Sequence, residues 1–354
     1  MGKTVVVHES ILRRWAQCVL TRVGLSSEDA SIVADTLVEA NLRGVDTHGV
    51  VRLPLYYLKR IKEGTISKTP SIVVYRRSPS VALIDADSGP GQVVTLRAMR
   101  LAIEMARESG VALVGVKNSS HFGMAAYFAM EALKEDMIGI AMTHADAWVA
   151  PFGARKPYLG TNPFSIAIPA KQCFPIVLDV ATSITTMGAV ILAALRGERI
   201  AEGIAIDEDG RITTDPKRVA ALLPVGGPKG SGLAIIVDVV CGILTDSAFG
   251  VHINKGNDFS RPERLGHLVG AINVASFCDP DRFKQRVDEM ISEIKSLPPA
   301  PGFSEVLLPG EKEFRTREER LKKGIPLPWE VFEKLQGLEG CYIDEYVITY
   351  GTTA

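Results

Sequence analysis

Apolar residues recur at helical spacing in several segments of the chain. Residues 26–44, "SSEDASIVADTLVEANLRG", have serines at the N-cap position, acids in the first turn, an apolar stripe and a closing glycine. Residues 89–110 and 280–297 show the same period. The pattern predicts helices over these three segments, and a further helix is predicted from Thr47 toward Gly64.

Short runs rich in β-branched residues and bounded by turn residues fill the middle of the chain. They read "VALVGVK", "MIGIAMT", "FSIAIP" and "FPIVLDV". A helical segment, "AAYFAMEALKED", separates the first two runs, and a long apolar helix, "GSGLAIIVDVVCGIL", comes later. This mixture predicts an α/β fold.

Length and charge narrow the class of protein. The chain has 354 residues and a formal net charge of −1, and its length predicts two domains. Because no basic patch or acidic tail stands out, neither nucleic acid nor a membrane surface is expected as a partner. No signal peptide is recognisable and the longest apolar runs are too short to span a bilayer, so we expect a cytoplasmic protein.

The cysteines and histidines show no metal-binding or disulfide pattern. The five cysteines are scattered singly without a CxxC pair, which predicts reduced thiols and neither a zinc site nor a disulfide framework. The HExxH motif is absent, so no metal site is predicted. The GxSxG motif is absent too, which disfavours an α/β-hydrolase nucleophile.

The stretch "VDTHGVVRLPLYY" groups residues that could act on a substrate. With Thr47 as N-cap, helical spacing places His48, Arg52 and Tyr56 on one face. A helix N-terminus favours a neutral imidazole, and a guanidinium suits a carboxylate. Pro54 would kink this helix between Arg52 and Tyr56. The alternative interpretation is a capped surface helix with incidental polar residues.

A second candidate is His121 in "KNSSHFGMAAYF". It follows a predicted strand and precedes a predicted helix, and ligands of open α/β sheets gather at the carboxyl ends of strands. The alternative is a loop histidine that bonds to the backbone.

Lys229 lies among glycines in "LPVGGPKGSGLAIIVDV", just before a helix. Glycines allow a phosphate to approach the backbone, and a helix N-terminus attracts anions. The spacing fits neither a P-loop nor the GxGxxG motif. A flexible glycine hinge is the alternative interpretation.

Small polar residues flank two of the predicted strands, in "LGTNPFSIAIP" and "FPIVLDVATS". Thr161, Asn162, Thr182 and Ser183 are typical donors and acceptors for an amide or a ribose, and Asp179 ends an apolar strand. An aspartate in that position can also simply cap the following turn.

Taken together, these stretches resemble the malate/L-lactate dehydrogenase family of the second type, which includes ureidoglycolate, sulfolactate and diketogulonate oxidoreductases. Seven blocks occur in family order over nearly the whole chain. They are "LRGVDTHGVVRLPLYY", "NSSHFGMAAYF", "VAPFGARKPYLGTNPF", "LDVATS", "TTDP", "LPVGGPKGSGL" and "PAPGFSEVLLPGE".

The resemblance implies a non-Rossmann, sulfolactate-dehydrogenase-like α/β (α+β) fold. A mixed, largely antiparallel sheet flanked by helices would form a central NAD(P)-binding domain over residues 79–299. Residues 1–78 and 300–354 would form a helical domain from both chain ends. The resemblance also implies a homodimer with the active site near the subunit interface.

The resemblance further implies roles for single residues. His48 and His121 match histidines treated as proton donors or acceptors in different members, and His48 is our first choice. Arg52 and Tyr56 match substrate-contacting positions, and Thr47 keeps the hydroxyl of a common serine. Cofactor-contacting stretches match Asp179, Val180, Ala181, Thr182, Ser183, Pro228, Lys229, Gly310, Glu311 and Lys312, and Thr161 and Asn162 are added as cofactor-binding candidates.

The resulting hypothesis is an oxidoreductase that transfers hydride between NAD or NADP and a small 2-hydroxy or 2-keto acid. The chain departs from relatives at three positions: Ala145 stands where a relative has a cofactor-contacting serine, Ala189 where many have lysine, and Ser231 where tyrosine is frequent. Two alternatives remain open: an NAD(P)H-dependent cyclic imino acid reductase, and a catalytically silent binding member of the family.

Overall fold

The computed structural model describes residues 3–350. Its helices are α1 (Glu9–Arg22), α2 (Ser27–Leu42), α3 (Leu58–Lys62), α4 (Gly91–Ser109), α5 (Ala125–Ala129), α6 (Met187–Arg196), α7 (Pro228–Asp238), α8 (Pro280–Ser296), α9 (Glu311–Lys323) and α10 (Trp329–Leu335). Its strands are β1 (Lys3–Val7), β2 (Val73–Ser78), β3 (Val81–Asp85), β4 (Val111–Ser119), β5 (Met137–Thr143), β6 (Phe164–Ile168), β7 (Ile176–Val180), β8 (Ala205–Ile206), β9 (Ala221–Leu222), β10 (Leu265–Asn273), β11 (Ile325–Pro328) and β12 (Val347–Tyr350).

Both ends of the chain build one region. β1 lies between β11 and β12 in an antiparallel sheet of three strands. Trp15 and Leu20 of α1, Leu37 of α2 and Phe332 of α10 share one buried apolar cluster. The sequence pattern predicts α2 of this region, whereas it does not predict the small sheet that joins the two chain ends.

The prediction of reduced, unpaired thiols is wrong for two of the five cysteines. Cys18 of α1 and Cys341 form a disulfide, and they are 323 positions apart in the sequence. No local spacing could reveal this pair, because the two residues meet only when the C-terminal segment packs against α1. Cys173, Cys241 and Cys278 are free thiols.

A seven-stranded sheet forms the centre of the molecule, in the order β2-β3-β4-β10-β5-β6-β7. β3 and β4 are parallel, and each of the other neighbouring pairs is antiparallel. The prediction of a mixed, largely antiparallel sheet is therefore confirmed. The edge strand β2 falls within the range that the sequence analysis assigns to the helical domain. The central strand β10 was not foreseen.

The predicted helix from Thr47 toward Gly64 is wrong as a single element. Asp46–His48 form a 3₁₀ turn, Leu53–Tyr57 form a π-helical turn, and only α3 is regular. Gly49 interrupts the helix with extended backbone, where a Cβ atom would lie 2.2 Å from Asn41 Oδ1. The predicted disturbance at Pro54 is present as the π turn, and Thr47 is not an N-cap.

Within residues 3–350, no helix has the length and apolar composition needed to cross a bilayer.

Candidate active site

A cavity of about 830 Å³ forms where the segment between α2 and α3 faces the loops of the central sheet. This volume is typical of sites for small molecules and cofactors. Residues from eight segments line its wall: 43–59, 121–126, 145–148, 161–163, 177–181, 186–191, 256–263 and 308–313.

His48 and Arg52 lie together on the cavity wall. The Nδ1 atom of His48 is 3.0 Å from Thr47 Oγ1, and Arg52 Nε donates to the Thr47 carbonyl oxygen at 2.8 Å. Burial, and then the positive charge of Arg52, lower the pKa of His48 to about 4. The His48 ring is therefore neutral near pH 7. No carboxylate of the described residues pairs with Arg52, so its terminal amino groups can receive an anion.

His121 reaches the same place from the loop between β4 and α5. Its ring stacks on that of His48, with centroids 5.6 Å apart and planes 19° apart. Burial, and then the charge of Arg52, hold the pKa of His121 well below its ordinary value. The structure thus places two neutral imidazoles side by side at the cavity.

Two consecutive tyrosines hold His121. Tyr56 Oη accepts the His121 backbone N–H at 3.3 Å and donates to the carboxyl group of Glu263. Tyr57 Oη lies 2.9 Å from His121 Nδ1. Both phenols are buried, with exposed fractions of 6% for Tyr56 and 1% for Tyr57. His48, Arg52, Tyr56 and His121 together are called the histidine end of the cavity.

A buried ion pair supports Tyr56 from behind. Glu263 Oε1 lies 3.5 Å from Nη2 of Arg60, whose side chain is fully buried. Arg60 also donates to the backbone oxygens of Lys255 and Asp258, each at 3.0 Å. Burial raises the pKa of Glu263 to about 7, although Arg60 and the hydrogen bond from Tyr56 oppose this change. The histidine end is thus anchored by side chains with several hydrogen bonds each.

A different part of the cavity wall is built around β7 and Asp179. Asp179 Oδ2 accepts the backbone N–H of Ala126 at 3.1 Å. The carboxyl group is open to the cavity but enclosed by protein on its other sides. This loss of water raises the pKa of Asp179 to about 6. Val180 and Ala181 continue the wall.

The N-terminus of α6 and a glycine before α9 complete this part of the wall. Thr186 caps α6, with its Oγ1 accepting from Ala189 N at 3.3 Å. A helix N-terminus attracts anions through its free N–H groups. Gly310 has φ +82°, and a Cβ there would lie 2.9 Å from Val177 O. This part of the wall is called the strand end of the cavity, and it consists of Asp179, Val180, Ala181, Thr186, Gly188 and Gly310.

Three of the other predicted cofactor residues lie behind the cavity wall. Thr161 lines the cavity, but the Asn162 amide bonds to the backbone of Ala145 and Ala234. The hydroxyl groups of Thr182 and Ser183 bond to backbone oxygens at 2.9 and 2.7 Å. These three side chains hold the wall in shape.

The remaining predicted residues lie outside the cavity wall. Pro228 and Lys229 begin α7 and are exposed. Glu311 is buried, with its carboxyl group bonded to Lys295 Nζ at 2.8 Å, and Lys312 is exposed. The structure therefore brings Gly310 to the cavity but not its two successors.

Several residues that line or support the cavity are not predicted from the sequence. Tyr57 directly follows Tyr56, so the pair of tyrosines was a usable signal. Thr186 and Gly188 open a helix, and the cap pattern could have revealed them. Glu263 lies 207 positions from Tyr56, so no sequence pattern joins the two. In the described part of the chain, no group of three or more His, Cys, Asp or Glu residues is arranged to hold a metal ion.

Known proteins match this chain over most of its length. A family model described as malate/L-lactate dehydrogenase matches residues 7–336. A malate dehydrogenase of Pyrococcus abyssi is 43% identical over 327 residues, which are 90% of this chain and 89% of that protein. A ureidoglycolate dehydrogenase (NAD(+)) of Escherichia coli K12 is 35% identical over 330 residues, covering 93% of this chain and 94% of the other.

The fold agrees with a solved structure of a similar protein. The sulfolactate dehydrogenase of Methanocaldococcus jannaschii superposes with a TM-score of 0.90 at 37% identity, covering 96% of this chain and 99% of that one. The matches confirm the predicted fold and the prediction of an oxidoreductase acting on small hydroxy acids. Because the family model matches residues 7–336, the chain belongs to the malate/L-lactate dehydrogenase family.

Proposed function

We propose that this protein transfers hydride between NAD or NADP and C2 of a small 2-hydroxy or 2-keto acid. One observation carries the proposal: two neutral imidazoles and a guanidinium without a carboxylate partner in the described chain meet at one cavity. Such a set can exchange a proton at an oxygen while holding a neighbouring carboxylate.

The histidine end takes the substrate. Arg52 receives the C1 carboxylate through two parallel hydrogen bonds, while His48 faces the C2 oxygen. Tyr56 lines the same end of the cavity, whereas Thr47 is not on its wall and supports His48 through its hydroxyl. Because the imidazole of His48 is neutral near pH 7, it can accept the hydroxyl proton during oxidation.

The strand end takes the cofactor, and its residues fit a dinucleotide. Its glycines and alanine leave room for a ring, and the Asp179 carboxyl can accept hydrogen bonds from a ribose or an amide. The α6 N-terminus offers N–H groups to a phosphate. The bound nicotinamide supplies the hydride chemistry, whereas the protein supplies position and charge.

A second cation favours substrates with a second anionic group. Lys59 lines the cavity on the same chain segment as Arg52, and its Nζ lies 5.5 Å from the centre of the Phe259 ring. The relatives named as malate and sulfolactate dehydrogenases act on acids that carry such a group. We therefore expect malate-like acids to be better substrates than lactate.

A homodimer with its active site near the interface is also proposed. Large apolar side chains are exposed along α7 and the turn after it: Leu233, Ile235, Ile236, Val239, Ile243 and Leu244. A group of neighbouring exposed apolar side chains such as this one normally contacts another protein surface. Ile191 of α6 is 55% exposed and also lines the cavity, so an apolar interface there would adjoin the site. Light scattering on purified protein measures the mass and tests this proposal.

A panel of substrates tests the proposed activity. Purified protein is given NADH or NADPH with oxaloacetate, pyruvate, sulfopyruvate and a cyclic imine carboxylate, and oxidation of the cofactor is followed. We expect turnover with the keto acids, fastest with those that carry two anionic groups. Turnover of the imine alone would instead support the imino acid reductase. A relative of Pseudomonas putida, 31% identical to this chain, is named as a reductase of cyclic imine carboxylates. No turnover with any compound would support the silent member.

A further inference from the structure

The protein partners of His121 decide which ring nitrogen carries its proton. Nδ1 lies 3.3 Å from the backbone nitrogen of Gly123 and 2.9 Å from Tyr57 Oη. A backbone N–H can only donate, so Nδ1 must be an acceptor. A neutral imidazole that accepts at Nδ1 carries its hydrogen on Nε2.

Tyr57 is held in place to complete this arrangement. Its side chain is 1% exposed, and the fully buried side chain of Gln92 adjoins its hydroxyl group. The enclosed phenol cannot turn to solvent, so its hydroxyl stays 2.9 Å from Nδ1 and can donate to it once Nδ1 is an acceptor. His121 Nδ1 is thus turned toward protein donors.

The other ring nitrogen of His121 is free to meet a ligand. Within residues 3–350, Nε2 has no hydrogen-bond partner, yet the protein does not seal it off, in contrast to Nε2 of His267. His121 lines the cavity. The Nε2–H group of His121 is therefore a preset donor toward the cavity.

His48 has no such restriction. Its Nδ1 contacts only the hydroxyl of Thr47 among the described residues, at 3.0 Å, and a hydroxyl can donate or accept. Either tautomer of His48 is thus satisfied, which leaves Nε2 able to accept or to donate. The two ring centroids are 5.6 Å apart and both residues line the cavity, so both rings border the same part of it and can contact one ligand.

We infer that Tyr57 and Gly123 lock His121 as the Nε2–H tautomer, so that His121 donates a hydrogen bond to the substrate's C2 oxygen and His48 transfers the proton. This inference rests on the proposed function. In oxidation, the O–H bond of the hydroxyl breaks and its proton passes to His48 Nε2. The electron pair of the O–H bond becomes the second bond of the C2=O group, and the hydrogen on C2 would leave with its electron pair as hydride to an oxidised nicotinamide bound at the strand end. Tyr57 acts as a positioning residue.

Nitrogen NMR of the imidazole rings tests the tautomer directly. Protein labelled with ¹⁵N-histidine should show His121 with a bare Nδ1 and a protonated Nε2. Tyr57→Phe leaves only the longer contact from Gly123 N at 3.3 Å, so it should admit some of the Nδ1–H tautomer and lower kcat about three- to tenfold, the effect of losing one hydrogen bond. Tyr127→Phe is the matched control, since Tyr127 Oη bonds to Asp35 at 2.5 Å outside the cavity. An Nδ1–H tautomer of His121 in the unaltered protein would overturn the inference.

Glutamine replacements separate a donor from a proton carrier. A glutamine amide can donate a hydrogen bond but cannot exchange a proton at neutral pH. His121→Ala should lower kcat by about 10²-fold, as the loss of one preorganised donor does, and His121→Gln should restore at least tenfold of this loss. His48→Gln should be no better than His48→Ala. Restoration by glutamine at His48 and not at His121 would reverse the assigned roles.

The two hypotheses fail in different ways. If no keto acid is turned over, the proposed function fails, while the tautomer measurement still reports on His121. If keto acids are turned over but Tyr57→Phe leaves the NMR signals of His121 unchanged, the activity stands and the role of Tyr57 is refuted.

Discussion

The two ends of the cavity are built in different ways. The histidine end depends on long polar side chains, and these are held by buried partners such as Tyr57, Glu263 and the fully buried Arg60. The strand end depends on backbone, small residues and one helix N-terminus, and its Asp179 stays open to the cavity. Fixed side chains suit the chemical step, which needs accurate geometry. A wall of backbone and small residues suits a large cofactor that must enter and leave.

Removing the imidazole of His48 should separate the two ends of the cavity most clearly, because it should lower kcat and leave dinucleotide affinity alone. A positioned general acid or base contributes about 10²–10⁴-fold, so His48→Ala should lower kcat by that factor. Dinucleotide affinity, set by the strand end, should be unchanged. Steady-state kinetics and fluorescence titration of the cofactor measure the two quantities. A kcat within about threefold of the unaltered protein would show that His48 is not the proton group.

The pH dependence of oxidation should reflect the lowered pKa of His48 at the histidine end. Burial and Arg52 lower the pKa of His48 to about 4, so the neutral base persists on acidification. We expect kcat/KM for the hydroxy acid to stay flat from pH 7 to about 5 and to fall through about 4. A histidine with an unshifted pKa of about 6.5 would lose activity about 100-fold by about pH 4.5.

A control is needed for this pH profile, because other groups at the cavity titrate in the same range. His121 and Arg52 face His48, Glu263 has a pKa of about 7, and Asp179 has a pKa of about 6. The residual activity of His48→Gln reports these groups without His48. A midpoint near 6.5 that disappears in His48→Gln would contradict the lowered pKa.

Sequence periodicity predicted much of the framework because regular elements leave local signals. The start of α2 follows the Ser26 cap, and β5 to β7 match three of the predicted runs. Strand β10, buried in the middle of the sheet, was missed because "LGHLVGAIN" contains glycines and a histidine that weaken a strand signal. The Cys18–Cys341 pair shows the same limit, since its partners meet only in the folded chain.

The site was predicted from sequence only in part. His48, Arg52 and Tyr56 line one cavity as expected, although the helix that suggested their alignment is replaced by 3₁₀ and π turns. Their partner Glu263 comes from a distant loop, and only three-dimensional packing joins it to Tyr56. Sequence motifs therefore marked the residues with distinctive chemistry, whereas the residues that hold them in place were invisible.

Replacing Arg52 by lysine tests whether the histidine end orients its ligand. Lysine keeps the charge but loses the two parallel hydrogen bonds. We expect kcat/KM for a keto acid to fall by about 10²-fold, since a misplaced substrate also slows hydride transfer. Cofactor affinity should not change. A substrate amide should be discriminated against less by Arg52→Lys than by the unaltered protein, and equal acid-to-amide ratios would refute a carboxylate clamp.

Substitutions at the strand end should weaken the binding of the cofactor. A charged hydrogen bond contributes about 1.5–3 kcal/mol, so Asp179→Ala should weaken dinucleotide binding about ten- to a hundredfold, with the keto acid KM at saturating cofactor nearly unchanged. Lys229→Ala is the informative companion, because Lys229 is exposed and does not line the cavity. We expect its effect to be below about threefold. A larger loss would extend the cofactor site to the glycine-rich start of α7.

The smallest effect is expected from Lys59, which lies at the exposed margin of the histidine end. Solvent screens an exposed lysine, so Lys59→Ala should lower the ratio of kcat/KM for oxaloacetate over pyruvate by only about three- to tenfold. Lys62→Ala is the matched control, since Lys62 lies on the same helix but pairs with Glu339 at 2.5 Å. The pyruvate reaction should be nearly unchanged in both variants, because pyruvate lacks the second anionic group. An oxaloacetate preference that survives Lys59→Ala would mean that another group contacts the far end of the substrate, and that the histidine end alone does not set the selectivity.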